Sequence, residues 1–454
     1  MARTYHTFDL IIIGGGTAGL SALKEARKYS NNILLIHDGP TGTTCARTGC
    51  MPSKALIHAA HLYHERTKMD DAGIKGADKL YPDITAILEC VRKKRDYFVK
   101  SVQEDMKELE SQILHGHARF DSPTTVRVDG KLFHAKATII ATGSSPHIPD
   151  ELKDFEDHII TTDNLFEQTD LPRRMAVIGL GPVGMEMAQA LARLGIEVTA
   201  IDHNGHIGGI ADHDINQRIQ KLLKQDMRLW MGAKPEYARA GDSVLIKNKD
   251  EMVKVDAMLV AAGRTPNLNS LGIKQLAAVS DGDGVPHFDR RTMQIKSLPV
   301  YIAGDATDEH AMLHEAIDDG KRAAHHALSP DKEMQPRNVP LAITFTHPTI
   351  AIIGNSYYTM RKHDMAVGEA SYEDQGRATI ENEKHGKIRI IADKDSKYIR
   401  GCELMAPEGE HLAHLIAFAI ERSATVADML DMPFYHPSFE EGLRSALKQI
   451  ENPV

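Results

Sequence analysis

The stretch DLIIIGGGTAG, residues 9–19, decides the fold of this 454-residue chain. An apolar run leads into glycines with Gly-x-Gly-x-x-Gly spacing, at Gly14, Gly16 and Gly19, and a helix-like segment follows. Glycines at these positions allow a tight turn, close approach of a pyrophosphate to the backbone, and close packing of helix on strand. The stretch therefore predicts a βαβ unit that binds a dinucleotide at the N-terminus of its helix.

A second stretch, MAVIGLGPVG at 175–184, has the same pattern. Its glycines are Gly179, Gly181 and Gly184, and the strand-like segment EVTAID follows a helix-like one. One such motif is weak evidence, because glycine-rich turns also recur for purely structural reasons. Two copies, each between a predicted strand and a predicted helix, indicate two dinucleotide sites.

An acidic residue about 20 positions beyond the first glycine usually contacts the adenosine ribose. Asp202 ends EVTAID with no arginine directly after it, so a 2′-phosphate would meet a carboxylate, and NAD is favoured over NADP. In the first unit the strand ends in His37 and Asp38. We predict Asp38 as the ribose contact, although it lies one residue away from the expected register, and His37 is the alternative.

Charge and composition exclude several classes of protein. A net charge of −9 argues against a nucleic-acid partner, because such proteins concentrate lysine and arginine on one face. No apolar stretch approaches the ~18 residues that span a bilayer, and no signal peptide pattern opens the sequence. Four cysteines are too few for a secreted disulfide framework in a chain of this length. We therefore expect a soluble cytoplasmic protein of several domains with no membrane partner.

Two of the cysteines lie five residues apart in TTCARTGCMPSKAL, residues 43–56. In a regular helix such residues have Cα atoms roughly 8–9 Å apart, whereas a disulfide requires less than about 7 Å. If Cys45 and Cys50 bond, the segment between them cannot be regular helix. Gly49 and Pro52 are consistent with a distortion there.

Other interpretations of this cysteine pair are possible from the residues alone. His58, His61 and His64 follow at helical spacing and could complete a metal site, but 24 histidines make local clusters common. Structural zinc sites usually place cysteines two to four apart, so we predict no metal. Two reduced thiols packed as small hydrophobic groups are a further alternative. Cys90 and Cys402 are predicted to be ordinary buried residues.

The segment after Pro336 has a different pattern. LAITFTHPTIAIIG, GKIRIIAD and IRGCELM alternate as antiparallel strands do, and EHLAHLIAFAIERS is typical of a helix. The C-terminal segment is therefore predicted to be a separate α+β unit.

The segment GTTCARTGCMPSK at 42–54 resembles the active-site segment of the pyridine nucleotide–disulfide oxidoreductases, a family of flavoproteins. The likeness extends over nearly the whole chain. It also includes the two Gly-x-Gly-x-x-Gly motifs, Glu186, and four further segments: ATG at 141–143, GRTPN at 263–267, AGDA at 303–306 and HPSFEE at 436–441.

This resemblance implies an α/β fold with two Rossmann-like dinucleotide-binding domains and a C-terminal α+β dimerisation domain. Residues 1–149 would bind FAD, 150–269 would bind NAD, 270–336 would complete the FAD site, and 337–454 would form the interface of a homodimer. The implied FAD contacts, with Asp38 added from the strand pattern, are Gly14, Gly16, Gly19, Asp38, Thr44, Lys54, Gly143 and Asp305. The implied NAD contacts are Gly179, Gly181, Gly184 and Asp202.

The resemblance also implies a redox role for the cysteine pair. Cys45 would exchange with the substrate, and Cys50 would lie against the flavin as a charge-transfer thiolate. Lys54 and Glu186 would pair beside the flavin, where a lysine stabilises negative charge on the reduced ring.

By the same resemblance, His436 of the partner subunit would be the acid/base and Glu441 would orient it. Thiol–disulfide exchange needs a thiolate attacker and a proton acceptor, and a histidine suits that second role near neutral pH. A carboxylate bonded to the far ring nitrogen fixes the tautomer of the histidine.

The details favour the dihydrolipoamide dehydrogenase branch, an FAD-dependent enzyme passing electrons between NAD(H) and a small or lipoyl-type disulfide. The sequence ends IENPV with no cysteine pair, which disfavours mercury delivery, and Asp202 disfavours an NADP-dependent glutathione reductase. Departures from the family pattern are His37 for a ribose-binding glutamate, Thr43 for a glycine, and Phe434 for a histidine. A reductase of another disulfide, a quinone or a metal ion is therefore an alternative, as is a flavoprotein interaction subunit of a multienzyme complex with little free turnover.

Overall fold

The computed structural model describes residues 7–276, 284–309, 311–360 and 364–452. The chain forms two compact units. The first unit comprises Met1–Pro52, Val91–His147 and Arg264–Arg337, and the second comprises Ser53–Cys90, Ile148–Gly263 and Asn338–Val454.

The first unit is built on a seven-stranded sheet. In spatial order its strands are Ile113–His115, Ile33–His37, Thr7–Ile13, Lys131–Ile140, Thr125–Val128 and Ala118–Ser122, with Val300–Ile302 also pairing with Lys131–Ile140. Thr7–Ile13 runs parallel to both of its neighbours, as a βαβ unit requires. Its residues 10–13 are buried and apolar, as expected for a parallel strand covered on both faces. The predicted first strand is confirmed.

Helices Thr17–Ala26 and Leu313–Leu328 pack on this sheet. The first unit also contains the short helix Thr44–Arg47, and helices Cys50–His64 and Ile84–Lys107 have residues in both units. Short 3₁₀ turns occur at Glu110–Gln112, Asn269–Leu271, Ile273–Leu276 and Gly304–Thr307, and Ser144–Pro146 pairs with Arg264–Pro266. Thr17–Ala26 packs so closely on Leu313–Leu328 that a Cβ atom at Gly320 would come within 3.0 Å of the backbone of Ala18.

The second unit contains the second βαβ pattern. Its parallel sheet has the order Arg228–Met231, Glu197–Asp202, Arg174–Ile178, Ala257–Val260 and Ile159–Ile160. Its helices are Pro182–Arg193, His213–Asp226, Thr162–Leu165 and Arg66–Met69, with 3₁₀ turns at Asp150–His158 and Ala77–Lys79. A three-stranded antiparallel sheet of Glu236–Arg239, Val244–Asn248 and Glu251–Val255 adjoins it in sequence.

The C-terminal part of the second unit is the predicted α+β segment. Its five-stranded antiparallel sheet has the order Leu341–Thr344, Thr349–Gly354, Ile399–Ala406, Lys387–Asp393 and Met365–Ser371. Helices Tyr357–Met360, Gly376–Glu381, Gly409–Glu421, Val426–Leu430 and Glu440–Glu451 accompany it. Alternate residues of the strands, with Tyr372 and Leu443, form its fully buried core. The antiparallel strands and the helix over EHLAHLIAFAIERS are confirmed.

Candidate active site

The two glycine loops have the same construction. Gly14 and Gly179 adopt φ values of 115° and 89°, in the left-handed region that favours glycine. A Cβ atom at Gly19 would come within 3.0 Å of the Gly14 carbonyl oxygen, and one at Gly184 equally close to the Gly179 oxygen. The first and third glycines of each motif are therefore required by the turn and by packing.

The middle glycines, Gly16 and Gly181, face open space, since no atom lies within 4 Å of an added Cβ. They are the N-cap residues of helices Thr17–Ala26 and Pro182–Arg193, and neither helix has a capping side chain or an acidic residue in its first turn. The first backbone N–H groups of a helix need acceptors and attract anions. Both loops therefore fit the pyrophosphate of a dinucleotide.

Asp202 lies where the sequence places the ribose contact of the second loop. It is buried at the end of strand Glu197–Asp202. Its Oδ2 accepts a hydrogen bond from Leu180 N at 2.6 Å, and its Oδ1 accepts one from Asn204 N at 2.6 Å. The carboxylate thus holds the glycine loop from the adjacent strand end.

Asp38, the predicted ribose contact of the first unit, is exposed, unlike Asp202. It follows strand Ile33–His37, its side chain is 60% exposed, and it pairs with His117 at 2.6 Å. His37, the other residue that the sequence analysis named at this strand end, accepts a hydrogen bond through Nδ1 from Gly15 N of the glycine loop at 3.3 Å.

Two further predicted cofactor contacts, Gly143 and Asp305, come together in the first unit. Ser144, next to Gly143, donates a hydrogen bond to Asp305 Oδ2 at 2.9 Å, and Arg264 Nε donates to Ser144 Oγ at 2.7 Å. Thr44 begins the short helix Thr44–Arg47, directly before the first cysteine.

The cysteines flank a break between two helices. Cys45 lies in Thr44–Arg47 and Cys50 begins Cys50–His64, and both are partly buried. At the break a Cβ atom on Gly49 would lie 3.0 Å from the carbonyl oxygen of Thr44 and 3.2 Å from the Cα of Cys45. The predicted departure from regular helix is confirmed, and the chain folds back tightly between the two cysteines.

The other two cysteines, Cys90 and Cys402, differ in burial. Cys402 is buried, and burial raises the pKa of its thiol well above the ordinary value. Cys90 is exposed on helix Ile84–Lys107, so its predicted burial is wrong. Leu88 and Val91 form the buried face of that helix, and Cys90 lies off it.

Lys54 and Glu186 form an ion pair. The Lys54 ammonium donates to both carboxylate oxygens, at 2.9 and 2.7 Å, and the Glu186 side chain is only 4% exposed. Phe345 N donates to Glu186 Oε1 at 2.8 Å, and the ammonium lies 4.6 Å from the centre of the Phe345 ring. The buried carboxylate is thereby fully paired, which a role limited to the helix dipole would not need.

The same helix, Pro182–Arg193, makes further contacts with this backbone segment. Gln189 accepts from His347 N at 2.8 Å and donates to His347 O at 3.1 Å, and Arg193 donates to the same oxygen at 3.0 Å. Glu186, Gln189 and Arg193 recur at spacings of three and four, so they share one face of the helix. These contacts could not be predicted from the sequence, because backbone donors and acceptors have no sequence signature.

A cavity of about 260 Å³ opens beside the ion pair. It is lined by Lys54, His58, His61, Glu186, Phe345 and His347, among others. His347 bonds to Glu383 at 2.7 Å, and Lys68 pairs with both Glu383 and Glu65. Burial alone would raise the pKa of Glu383, but hydrogen bonds from His347 and Lys68 outweigh it and lower that pKa to about 2.

His61, Glu65 and His347 offer ligand atoms within 4.8 Å of one another, as a metal site would. The ammonium of Lys68 already lies 2.9 Å from Glu65 and balances its charge. Burial lowers the pKa of His61, and burial with the nearby Arg193 lowers that of His64 to about 4. The trio is therefore a charge-compensated cluster, and we assign no metal to it.

His436 and Glu441 form a dyad just before and within helix Glu440–Glu451. His436 Nδ1 lies 3.0 and 3.1 Å from the two Glu441 oxygens, and Ser438 N donates to the same carboxylate at 3.2 Å. The hydrogen bond from His436 lowers the pKa of Glu441. With the Nδ1 proton directed at the carboxylate, Nε2 carries the free lone pair, and the ring is 78% exposed. The dyad can accept a proton from a molecule outside this chain.

Comparison with known proteins agrees with this geometry. Residues 8–327 match the family model described as pyridine nucleotide-disulphide oxidoreductase, and residues 340–447 match the dimerisation domain of that family. A dihydrolipoyl dehydrogenase of Thermus scotoductus is 30% identical, over 98% of this chain and 97% of its own length. A mercuric reductase of Lysinibacillus sphaericus is 27% identical, over 98% of this chain and 83% of its own.

Solved structures share the fold. The HOCl-induced flavoprotein disulfide reductase RclA from Escherichia coli, in its Cu(II) complex, superposes with a TM-score of 0.84 at 20% identity, covering 97% of this chain and 99% of RclA. LpdA from Mycobacterium tuberculosis has a TM-score of 0.84 at 23% identity, covering 98% of this chain and all of LpdA.

Among the described residues, no helix combines the length and the apolar character needed to cross a membrane. The family match covers most of the chain and the Thermus relative covers nearly all of it, while the glycine loops fit two dinucleotides. The chain belongs to the class I pyridine nucleotide-disulphide oxidoreductases, and it is an FAD- and NAD(P)H-dependent flavoprotein disulfide oxidoreductase.

Proposed function

We propose that this enzyme passes electrons between NAD(H) and a lipoyl-type dithiol/disulfide through a redox disulfide of Cys45 and Cys50. The observation that carries this proposal is the exposed His436–Glu441 dyad, held at 3.0 Å. Oxidation of a dithiol requires an acceptor for thiol protons, and this dyad supplies one. Dihydrolipoyl dehydrogenases among the relatives support the same substrate class.

The proposed exchange balances as follows. A substrate thiol gives its proton to Nε2 of His436, and its thiolate attacks Cys45, breaking the Cys45–Cys50 bond. The second substrate thiol then loses its proton and attacks the mixed disulfide, so that Cys45 leaves as a thiolate. In sum the dithiol becomes a disulfide, NAD⁺ receives two electrons and one proton, and one proton passes to water.

A bound FAD supplies the two-electron transfer between the cysteine pair and the nicotinamide. The residues of this chain position it: the first glycine loop and Thr44, Gly143 and Asp305 are proposed contacts, and Lys54, held by Glu186, offers a positive charge. The second glycine loop with Asp202 is proposed to bind NAD in preference to NADP, because the carboxylate repels a 2′-phosphate.

The match of residues 340–447 to the dimerisation domain supports a homodimer. We propose that His436 serves the cysteine pair of the partner subunit. Its 78% exposure in a single chain is what a group that acts across a dimer interface would show.

A second candidate substrate class is an aromatic acceptor such as a quinone, or another disulfide. Tyr435, beside His436, is 84% exposed, whereas Phe434, which stands where the family usually has a histidine, is partly buried against the C-terminal core. A large exposed aromatic side chain such as that of Tyr435 suits flat or apolar ligands.

Steady-state turnover of the purified enzyme separates these candidates. With NADH as donor, we expect lipoamide to be reduced faster than glutathione disulfide or a benzoquinone, and dihydrolipoamide to be oxidised with NAD⁺. A preference for the quinone would favour the second candidate. Turnover with none of the disulfides would favour the alternative of an interaction subunit in a multienzyme complex.

Gly181→Ala should weaken NADH binding, whereas Gly184→Ala should destabilise the fold. Gly181 faces open space, so its methyl group leaves folding intact but blocks the pyrophosphate, and loss of one charged hydrogen bond raises KM for NADH roughly 10- to 100-fold. At Gly184 the methyl group meets the Gly179 carbonyl, which destabilises the fold by roughly 1–3 kcal/mol or more. Thermal unfolding and NADH kinetics on both variants check this. Equal unfolding temperatures for the two variants would contradict this prediction.

Lys54→Met should destabilise the protein, because it leaves the buried Glu186 carboxylate without its positively charged partner. We expect a loss on the order of 2–3 kcal/mol, below that of a fully buried pair because Lys54 is 36% exposed. The urea-unfolding midpoint measures this. Lys24→Met removes an equally short but exposed ion pair with Asp105 and should leave the midpoint unchanged. Equal shifts in both variants would show that Glu186 does not depend on Lys54.

A further inference from the structure

The turn Gly304–Thr307, which carries the proposed FAD contact Asp305, is held by a carboxylate of the following helix. Gly304 N donates a hydrogen bond to Oδ2 of Asp319 at 3.1 Å. Asp319 lies in the second turn of helix Leu313–Leu328, and it is only 6% exposed. A buried acceptor on this helix therefore fixes the first amide of the turn.

Packing adds to this constraint on the turn. Gly304 adopts a φ of 68°, in the left-handed region that favours glycine. A Cβ atom there would lie 2.9 Å from the Cβ of Ala18 and 3.4 Å from that of Ala316, so the turn lies tightly between helices Thr17–Ala26 and Leu313–Leu328. With its position confined in this way, the turn takes its orientation from the hydrogen bond to Asp319.

Asp305 can accept a hydrogen bond from a ligand. Its Oδ2 accepts from Ser144 Oγ at 2.9 Å, whereas its Oδ1 accepts none from the residues that the structure describes. The side chain is partly exposed. An ionised carboxylate only accepts hydrogen bonds, so this oxygen suits a hydroxyl group such as those of FAD.

The other oxygen of Asp319 binds Arg337. Burial raises the pKa of the Asp319 carboxyl, and the hydrogen bond from Arg337 to Oδ1 opposes that effect. Arg337 also donates to Glu315 at 3.2 Å and to the carbonyl oxygen of Arg290 at 3.1 Å. The guanidinium thus holds the carboxylate from one side, and the carboxylate holds Gly304 from the other.

The neighbouring residue, Asp318, belongs to the same charge cluster but does not bind the turn. Its carboxylate accepts from Arg322 at 2.5 Å and lies 3.7 Å from Arg337. Among the described residues no hydrogen bond joins Asp318 to Gly304, whose amide bonds to Asp319. The two aspartates therefore share the ion pairs of this helix, and Asp319 has the turn contact in addition.

We infer that Asp319, held by Arg337, positions the turn Gly304–Thr307 for FAD, so that retention of the cofactor depends on a buried ion pair behind the contact residue. The inference rests on the proposed role of Asp305 as an FAD contact. Asp319 is a positioning residue, because it acts through the backbone of the turn.

The size of the effect depends on how often the turn is correctly oriented. The apparent affinity for a ligand falls by the fraction of molecules in the binding-competent conformation. Asp319→Leu keeps the branching of the side chain but removes the acceptor of Gly304 N, and a hydrogen bond to an ionised group is a strong one. We expect the dissociation constant of FAD to rise roughly 10- to 100-fold.

The test is the FAD dissociation constant of the holoenzyme at neutral pH, from the fluorescence of FAD released on serial dilution. Asp319→Leu should show the rise, and the visible circular dichroism of its bound flavin should change. Asp319→Asn keeps an oxygen that can accept from Gly304, so it should retain most of the affinity. Asp318→Leu is the matched control, and both of its readouts should equal those of wild type.

A role in stability alone would give a different pattern. Both leucine variants would then unfold at lower temperature, without a difference between them in FAD affinity. An unchanged dissociation constant in Asp319→Leu, or an equal rise in Asp318→Leu, would overturn the inference. If Asp319→Leu does not fold, Arg337→Gln decides. It removes the cation from the buried carboxylate and should weaken FAD binding by at least about tenfold, and an unchanged affinity would count against the inference.

Lipoamide turnover on the same samples separates this inference from the proposed function. With FAD in excess, Asp319→Leu should regain turnover, because the cysteine pair and the dyad of His436 and Glu441 are unaltered. Wild-type enzyme that retains FAD but does not turn over lipoamide would refute only the proposed substrate. Normal turnover together with wild-type FAD affinity in Asp319→Leu would refute only the role of Asp319.

Discussion

Cys45→Ser is expected to lower lipoamide reduction by at least about 10³-fold while NADH still reduces an artificial dye. Serine cannot form the mixed disulfide with the substrate, so exchange stops at its first bond-forming step. The route from NADH to the flavin needs neither cysteine, so dye reduction continues. Both rates are measured on one preparation with NADH in excess.

Cys90→Ser is the matched control. Cys90 is exposed on helix Ile84–Lys107, in a segment to which we assign no chemistry. Its replacement should leave both rates at the wild-type level. Lipoamide reduction that survives in Cys45→Ser would remove Cys45 from the exchange step and place the substrate at a different sulfur.

His436→Gln should slow dihydrolipoamide oxidation by roughly 10²–10⁴-fold, the usual contribution of a general base. Glutamine can keep the bond to Glu441 but has no lone pair of comparable basicity. Deprotonation then depends on the thiol itself, whose ordinary pKa is near 8.5, so the variant should recover part of its rate as the pH rises toward that value. Stopped-flow measurement of the dithiol half-reaction over a pH series checks both effects.

His213→Gln serves as the control for this substitution. His213 is an exposed histidine whose Nε2 lies 2.8 Å from the side chain of Gln217. It should leave the half-reaction and its pH profile unchanged. A His436→Gln enzyme with wild-type rate at neutral pH would mean that another group, or water, takes the thiol protons.

The parallel and antiparallel sheets could be predicted from sequence because their determinants are local. Apolar runs, the Gly-x-Gly-x-x-Gly turns and the alternating C-terminal strands each lie within a few tens of residues. The distortion between Cys45 and Cys50 followed from helix geometry only on the condition that the two cysteines bond, and the family resemblance supplied that condition.

Other features depend on contacts between distant residues. Lys54 and Glu186 are 132 positions apart, and only a family resemblance linked them. The sequence did not predict the cluster of His347, Glu383 and Lys68, because the residue types of a buried, ion-paired cluster do not differ from those of exposed charged residues. For Cys90 the information was present: Leu88 and Val91 set the buried face of the helix, and a residue between them at that spacing lies off it.

The assignment of Asp38 illustrates a limit of motif matching. The motif requires a carboxylate near the end of the second strand, and Asp38 is the nearest one in the sequence. Strand register, which the backbone hydrogen bonds of Gly14 and Gly179 establish, places His37 rather than Asp38 at the position equivalent to Asp202. Side-chain type alone could not reveal this, because an imidazole can accept the same loop N–H that a carboxylate accepts.

Glu186, Gln189 and Arg193 bind the backbone of Phe345 and His347 rather than their side chains. Residues 345 and 347 can therefore vary in sequence without loss of these contacts, while the helix that meets them cannot. A chimera that exchanges the second nucleotide-binding segment with that of a relative must carry this helix face unchanged, or else import the 345–347 segment with it. In a chimera of this enzyme, the exchanged segments should therefore be chosen by these backbone contacts and not by the boundaries of the sequence motifs.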